Sequence, residues 1–224
     1  MNELRESGVD PLIIDAGDLF FSTANLNSTN KKSELYRAGA ILEGYNRVGC
    51  DAINVGHYEV LNGLSFLKSM EEKTEIPFLS ANLRDAQTNK LLFEPFRIIE
   101  KGLLKIGIVG VTDKLPDTTK SMIADNYVEA GNHYIDEASK QADIIVIMVN
   151  SDRKTYSELP TLFANADFIV TSGSTNMTRE NTKQTEGGPF LYSCGKQGKY
   201  MSVLSVNMED KNAPIVDISS HEKN

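Results

Sequence analysis

The sequence contains no tryptophan and only two cysteines, Cys50 and Cys194, among 224 residues. Two thiols make no disulfide framework, so a small cysteine-stapled domain is excluded. Whether the two pair is left open, because a bridge needs Cα atoms within about 7 Å. Long apolar runs are also missing. The longest, Ile144 to Val149, has the length of a buried strand and falls far short of the ~18 residues of a membrane span. Met1 to Ser7 reads as an exposed helical turn, so no signal peptide is expected in this chain. Positive charge is in deficit as well: 23 Lys+Arg against 31 Asp+Glu give a formal charge of −8. Basic residues are scattered, and the stretch Lys196 to Lys199 carries only two of these positive charges. An acidic surface repels phosphate backbones, which argues against a nucleic-acid partner. What is present is ordinary for a globular domain, with 40% apolar and 24% charged residues. The length suits one good-sized domain, and no internal repeat or low-complexity tract breaks it.

Strand-like and helix-like segments alternate. Pro11–Asp15, Asp51–Val55 and Pro77–Ala81 read as strands, separated by helices over Ser33–Val48 and Leu64–Lys73, with Gly49 as a C-terminal stop. From Phe96 the pattern changes to a hairpin, Phe96–Glu100 with Leu103–Val111. A helix over Val128–Gln141, a buried strand over Asp143–Asn150, a helix near Tyr156–Asn165 and a strand over Asp167–Thr171 follow. The tail returns to strands at Phe190–Cys194, Tyr200–Met208 and Pro214–Ile218, with a turn at Gly195–Gly198. Ser172–Gly188, polar and rich in Gly, Thr and Asn, is a long loop of the kind that carries function or disorder. Repeated strand–loop–helix units predict an α/β fold with a largely parallel sheet, to which hairpins in the middle and at the end add antiparallel strands. Ligands in such sheets bind at the carboxyl ends of strands. That selects the loops after Asp15, Val55, Val149 and Val170.

The first loop reads Asp15-Ala-Gly-Asp18-Leu-Phe, where Asp18 suits a hard divalent cation and equally suits a helix cap or a bond to its own loop. The second reads Val55-Gly56-His57-Tyr58-Glu59. His57 fits a metal ligand with Glu59 as its orienting partner, or a histidine satisfied by hydrogen bonds alone. His133 falls on helical sequence and reads as a surface residue; His221, in the polar tail, reads as solvated. Cys194 near these loops is a thiol ligand, a redox group or a small residue in a turn, and Cys50 reads as core.

The order of these blocks resembles the 5′-nucleotidase/UDP-sugar hydrolase branch of the calcineurin-like metallophosphoesterases. Ser80-Ala-Asn-Leu83, Ile106 to Thr112, Asp143 to Asn150, Ala166 to Thr175 and Gly188 to Met201 continue the same order over nearly the whole chain. The resemblance implies a four-layer α/β/β/α sandwich with mixed sheets, a single domain over residues 1–224. It also implies that the chain starts after the family's first strand, which carries a metal-binding Asp-x-His, and ends without the C-terminal domain that supplies nucleotide-stacking aromatics. Asp18 matches the family's bridging Asp. In the Gly-Asn-His-Glu box, His57 stands for the metal-binding Asn and Tyr58 for the catalytic His, which leaves no catalytic residue assigned. A similar Gly-His-aromatic-Glu variant occurs in the sulfur-oxidation thiosulfohydrolases. Asn150 stands where the family has a ligating His, and Gly173 and Thr175 stand for the two histidines of its Gly-His-x-His box.

A two-metal hydrolase holds its cations ~3.5–4 Å apart, each with several protein ligands. The ligands counted here support at most one weakly held divalent metal, Mn, Zn or Fe, at Asp18, His57 and Asn150. The expectation is therefore a family domain with most metal ligands lost, little or no dinuclear phosphoesterase activity, and a cleft reused to bind a small molecule or a protein. Its alternative is an active metal-dependent hydrolase of a phosphorus or sulfur ester built around Asp18 and His57. The family's habit favours a periplasmic or other extracytoplasmic location.

Overall fold

Periodicity and punctuation place the first helices. Between Lys31 and Val48, Glu34, Ala38 and Leu42 recur every fourth residue and are buried, and Gly49 ends the helix in the left-handed region at φ 69°. The computed structural model describes residues 2–175, 177–178, 187–195, 200–205 and 217–222. Its first half alternates α1 (Asn2–Glu6), β1 (Ile14–Asp15), α2 (Lys31–Val48), β2 (Ala52–Asn54), α3 (Leu64–Glu71) and β3 (Phe78–Leu79). Next come β4 (Leu83–Asp85), β5 (Phe96–Lys101), β6 (Leu104–Thr112), β7 (Met122–Ala124), α4 (Tyr127–Ser139) and β8 (Ile144–Ser151). A 3-10 turn at Tyr156–Glu158 runs into α5 (Leu159–Leu162), and β9 (Phe168–Gly173), β10 (Phe190–Tyr192), β11 (Tyr200–Ser205) and β12 (Asp217–Glu222) complete the order.

Two sheets face each other. The first is parallel, ordered β1-β2-β3; the second is ordered β10-β9-β8-β6-β5 and is parallel except where β5 pairs antiparallel with β6. Strand β8 is buried at every position, as its unbroken apolar run requires at the centre of a sheet covered on both faces. One core joins α2 and α3 to the first sheet through Ala38, Leu42, Leu67, Met70, Ile53 and Phe78. Another joins α4 and α5 to the second through Ile135, Ala138, Leu159, Ile147 and Val149. A third lies between the sheets, with Ala52 and Leu79 against Ile108 and Met148. These three cores define the α/β/β/α sandwich.

The sheets are also stitched by polar bonds. The Asn54 amide, fully buried, donates to Ala16 O at 2.9 Å and to Val111 O at 3.0 Å. The Thr112 hydroxyl donates to Val55 O at 2.5 Å. Gly110 admits this approach, since a Cβ there would stand 2.5 Å from Asn54 Oδ1.

Three expectations change. The helix expected over Tyr156–Asn165 stops at Leu162, where Phe163 leaves helical geometry (φ −123°, ψ 47°) and packs its ring against α4, where Gly131 leaves room for it. Phe190–Tyr192 does not form a terminal hairpin; it runs parallel to β9, with the Phe168 and Phe190 rings stacked at 5.8 Å. The antiparallel pair at the end is β11 with β12, shifted from Pro214–Ile218 to Asp217–Glu222. Strands β4 and β7 form a short antiparallel pair that the sequence pattern did not reveal. Much of the Ser172–Gly188 loop and of the Gly195–Gly198 turn lies outside the described residues.

Candidate functional site

The four loops singled out at strand ends converge between the two sheets. The first leaves β1 through Asp15, whose carboxylate accepts from Gly17 N at 2.9 Å and from the Tyr45 hydroxyl at 2.7 Å. Gly17, at φ 103°, lets the chain fold back so closely that a Cβ would stand 2.9 Å from the Cα of Gly56. Asp18 follows at φ 62°, a left-handed conformation that Asp tolerates better than most residues. Phe20 and Phe21, both buried, then anchor the loop in the core between the first sheet and its helices.

Glu59 ties this loop to the one after β2. One carboxylate oxygen accepts from Leu19 N at 2.6 Å and Phe20 N at 3.1 Å; the other accepts from Asp18 N and Gly56 N, both at 2.8 Å. Burial pushes the Glu59 carboxyl up to about 8, the charges of Asp18 and Asp15 push the same way, and the N–H donors pull against them. Its side chain is therefore engaged with backbone rather than with the ring of His57. Asp18 accepts from Tyr58 N at 2.9 Å. Burial raises its carboxyl, against the pull of that N–H, of the Asn150 amide and of His57.

His57, half-buried, donates its backbone N–H to Asn150 Oδ1 at 2.9 Å, while Asn150 Nδ2 donates to Ser172 Oγ at 2.8 Å and bonds Asp18. The Ser172 hydroxyl donates in turn to Ala16 O at 2.6 Å, closing a ring around the cleft floor. The His57 ring places Nδ1 3.3 Å from Lys114 O. A carbonyl only accepts, so Nδ1 is the donor in this contact. Both Asp18 and Asp113 feel the charge of this imidazole. Tyr58 is half-buried beside Asp18, and burial with the Asp18 charge raises its phenol.

The fourth loop differs in kind. Gly173 has no side chain and sits at φ 91°, and a Cβ there would stand 2.5 Å from Ser151 O. Thr175 is buried, its hydroxyl 2.6 Å from the Ser193 hydroxyl. Ser172, Lys114 and Ser193 were not legible as site residues, since each acts through partners distant in sequence. His133 is exposed on α4; His221 lies on β12, where only the backbone is described. Cys50 and Cys194 are both free thiols. Cys50 is buried, with burial pushing its thiol up to about 12, and Cys194 is exposed.

Asp18, His57 and Asn150 thus meet at one place, with Gly173 following Ser172 of the same ring of bonds. Asn150 has both ends of its amide engaged, Thr175 is turned to Ser193, and Gly173 offers backbone only. Among the described residues no cluster of three or more His, Cys, Asp or Glu side chains is arranged to hold a metal.

No protein-family profile matches the chain. It is 36% identical over 118 residues to a 5′-nucleotidase of Vibrio cholerae, covering 53% of this chain and 20% of that protein. It is 32% identical over 118 residues to protein UshA of Escherichia coli, with the same shares. A snake venom 5′-nucleotidase from Naja atra is 26% identical over 94% of this chain and 44% of its own length. The chain spans about a fifth of the first two of these relatives. Among solved structures it superimposes on the sulfate thiohydrolase SoxB of Thermus thermophilus with a TM-score of 0.80 at 18% identity, over 99% of this chain and 40% of that one. The calcineurin-like phosphoesterase YfkN of Bacillus subtilis gives 0.73 at 18% identity, over 99% and 80%. The chain carries the fold of the calcineurin-like metallophosphoesterases and is a relative of their 5′-nucleotidase branch.

Proposed function

We propose that this chain is a 5′-nucleotidase-like domain whose cleft binds a ligand without performing dinuclear phosphoester hydrolysis. One observation carries the reading: at two of the family's ligand positions, the side chains of Asn150 and Thr175 are satisfied by other protein groups. Asn150 is held between the His57 N–H, Ser172 and Asp18, and Thr175 faces Ser193. A side chain held this way would have to break good hydrogen bonds to face a cation, at about 1 kcal/mol each. The occupant is a small molecule or a protein segment, and the acidic surface does not favour nucleic acid. The family resemblance favours an extracytoplasmic setting; among the described residues no helix is long and apolar enough to cross a membrane.

The orientation of His57 favours a second reading. With Nδ1 directed to Lys114 O, Nε2 is the nitrogen open for coordination near Asp18, which suits one weakly held Mn, Zn or Fe ion and hydrolysis of a phosphorus or sulfur ester. Elemental analysis after incubation with Mn²⁺, Zn²⁺ or Fe²⁺, together with turnover of an aryl phosphodiester, separates the two. Substoichiometric metal without turnover supports the binding domain. Stoichiometric metal with turnover overturns it.

A further inference from the structure

Between the loop that carries His57 and Glu59 and the start of α3, the chain reads Val60-Leu-Asn62-Gly63, the one Asn-Gly pair in the sequence. The glycine is fixed by backbone geometry. Gly63 precedes α3 at φ 81° and ψ 169°, where a side chain is strained even though an added Cβ would meet nothing within 4 Å. Two turn bonds shape the approach, Leu61 N to Tyr58 O at 3.2 Å and Gly63 N to Val60 O at 2.9 Å, and Gly63 O accepts from Leu67 N at 3.2 Å. Nothing comparable fixes Asn62. It is half-buried, so water reaches it, and its side chain makes no hydrogen bond with any described residue.

We propose that Asn62-Gly63 is a modification site, at which the side-chain amide is lost through ring closure onto the Gly63 nitrogen. Three features favour the step. A glycine nitrogen is the least screened of any, because no Cβ stands beside it. Asn62 forfeits no hydrogen bond on turning toward that nitrogen. The bond that must open first, Gly63 N to Val60 O, belongs to a loop turn, which opens locally without global unfolding. Gly63 N then loses its proton and bonds to Asn62 Cγ; the Cγ–Nδ2 bond breaks, and Nδ2 leaves with that proton as ammonia. Water splits one of the two C–N bonds of the resulting imide, leaving a carboxylate at position 62 on a main chain that is either normal or lengthened by one carbon. Either product places negative charge just before the N-terminus of α3, and the second also lengthens the link between Glu59 and α3. Neither step depends on what the cleft binds.

Ageing the whole chain in mildly alkaline buffer, followed by peptide mapping with mass measurement, tests the site. Asn27 is the internal comparison: it is exposed and precedes Ser28, and its Oδ1 accepts from Thr29 N at 2.9 Å and Asn30 N at 3.3 Å. The peptide holding Asn62 should gain about one dalton and split into two product peaks, at least roughly tenfold faster than the peptide holding Asn27. The gain should quicken as pH rises, since the deprotonated nitrogen attacks. In Asn62→Gln, whose longer side chain closes a larger and slower ring, the gain at this position should all but disappear. An Asn62 peptide that ages no faster than the Asn27 peptide overturns the proposal, as does an equal gain in the parent and in Asn62→Gln. The comparison within the parent needs no variant and decides alone if Asn62→Gln does not fold.

Discussion

Glu59 shows how much of the site depends on one side chain. Its two oxygens gather N–H groups from both the loop after β1 and the loop after β2, so a change to Gln places an NH₂ against donors. Measured at about pH 9, where a carboxyl raised to about 8 is ionised, Glu59→Gln should lower stability by about 2 kcal/mol, read as a fall in Tm of about 4–8 °C; an unchanged Tm would show that these bonds contribute little. His57→Ala should shift stability by less than about 0.5 kcal/mol, because its ring makes one long hydrogen bond at the cleft rim. Gly110→Ala should destabilise by about 1–3 kcal/mol, since the added Cβ would meet Asn54 Oδ1 between the sheets. Gly56 and His57 were visible in the sequence as a turn at a strand end. The reach of Glu59 across 41 residues to Asp18 was not, because nothing local marks which backbone a buried carboxylate will find.

At the scale of elements, helix α2 was legible from the helical spacing of Leu35, Ala38, Ile41, Leu42 and Tyr45 and from Gly49, whose φ of 69° only glycine adopts at no cost. The hairpin β5–β6 and the central strand β8 were legible for the same reason: their patterns are long and consistent. Strands β4 and β7, at three residues each, are too short to carry a period. The parallel placement of β10 depended on its contact with β9, which sequence spacing cannot report. Helix α2 also carries a pH-sensitive bond. Burial works to raise the Glu34 carboxyl, but the Ser22 hydroxyl and N–H, at 2.5 and 2.7 Å, with the charge of Arg37, hold it below the usual range. A carboxyl lowered in the folded state stabilises above its unfolded pKa and loses that contribution as pH falls through the folded value. The stability of the parent should therefore fall more steeply than that of Glu34→Gln below about pH 4.5, as urea midpoints across pH would show. Parallel curves would contradict this.

For the whole molecule, the sandwich is held by three apolar cores and by polar stitches between its sheets, none of which calls on a cation. The α/β class and the four convergent loops followed from strand–helix alternation, while the four layers were implied by the family resemblance. The engagement of Asn150 and Thr175 depended on side chains that meet only after folding, such as the His57 N–H reaching Asn150 across 93 residues. The most direct test of the central claim is the metal content of the chain, measured by elemental analysis after Mn²⁺, Zn²⁺ or Fe²⁺ has been offered and excess removed. The account predicts less than one bound ion per chain and the same Tm with or without EDTA. A tightly held pair of ions that raises Tm would contradict it.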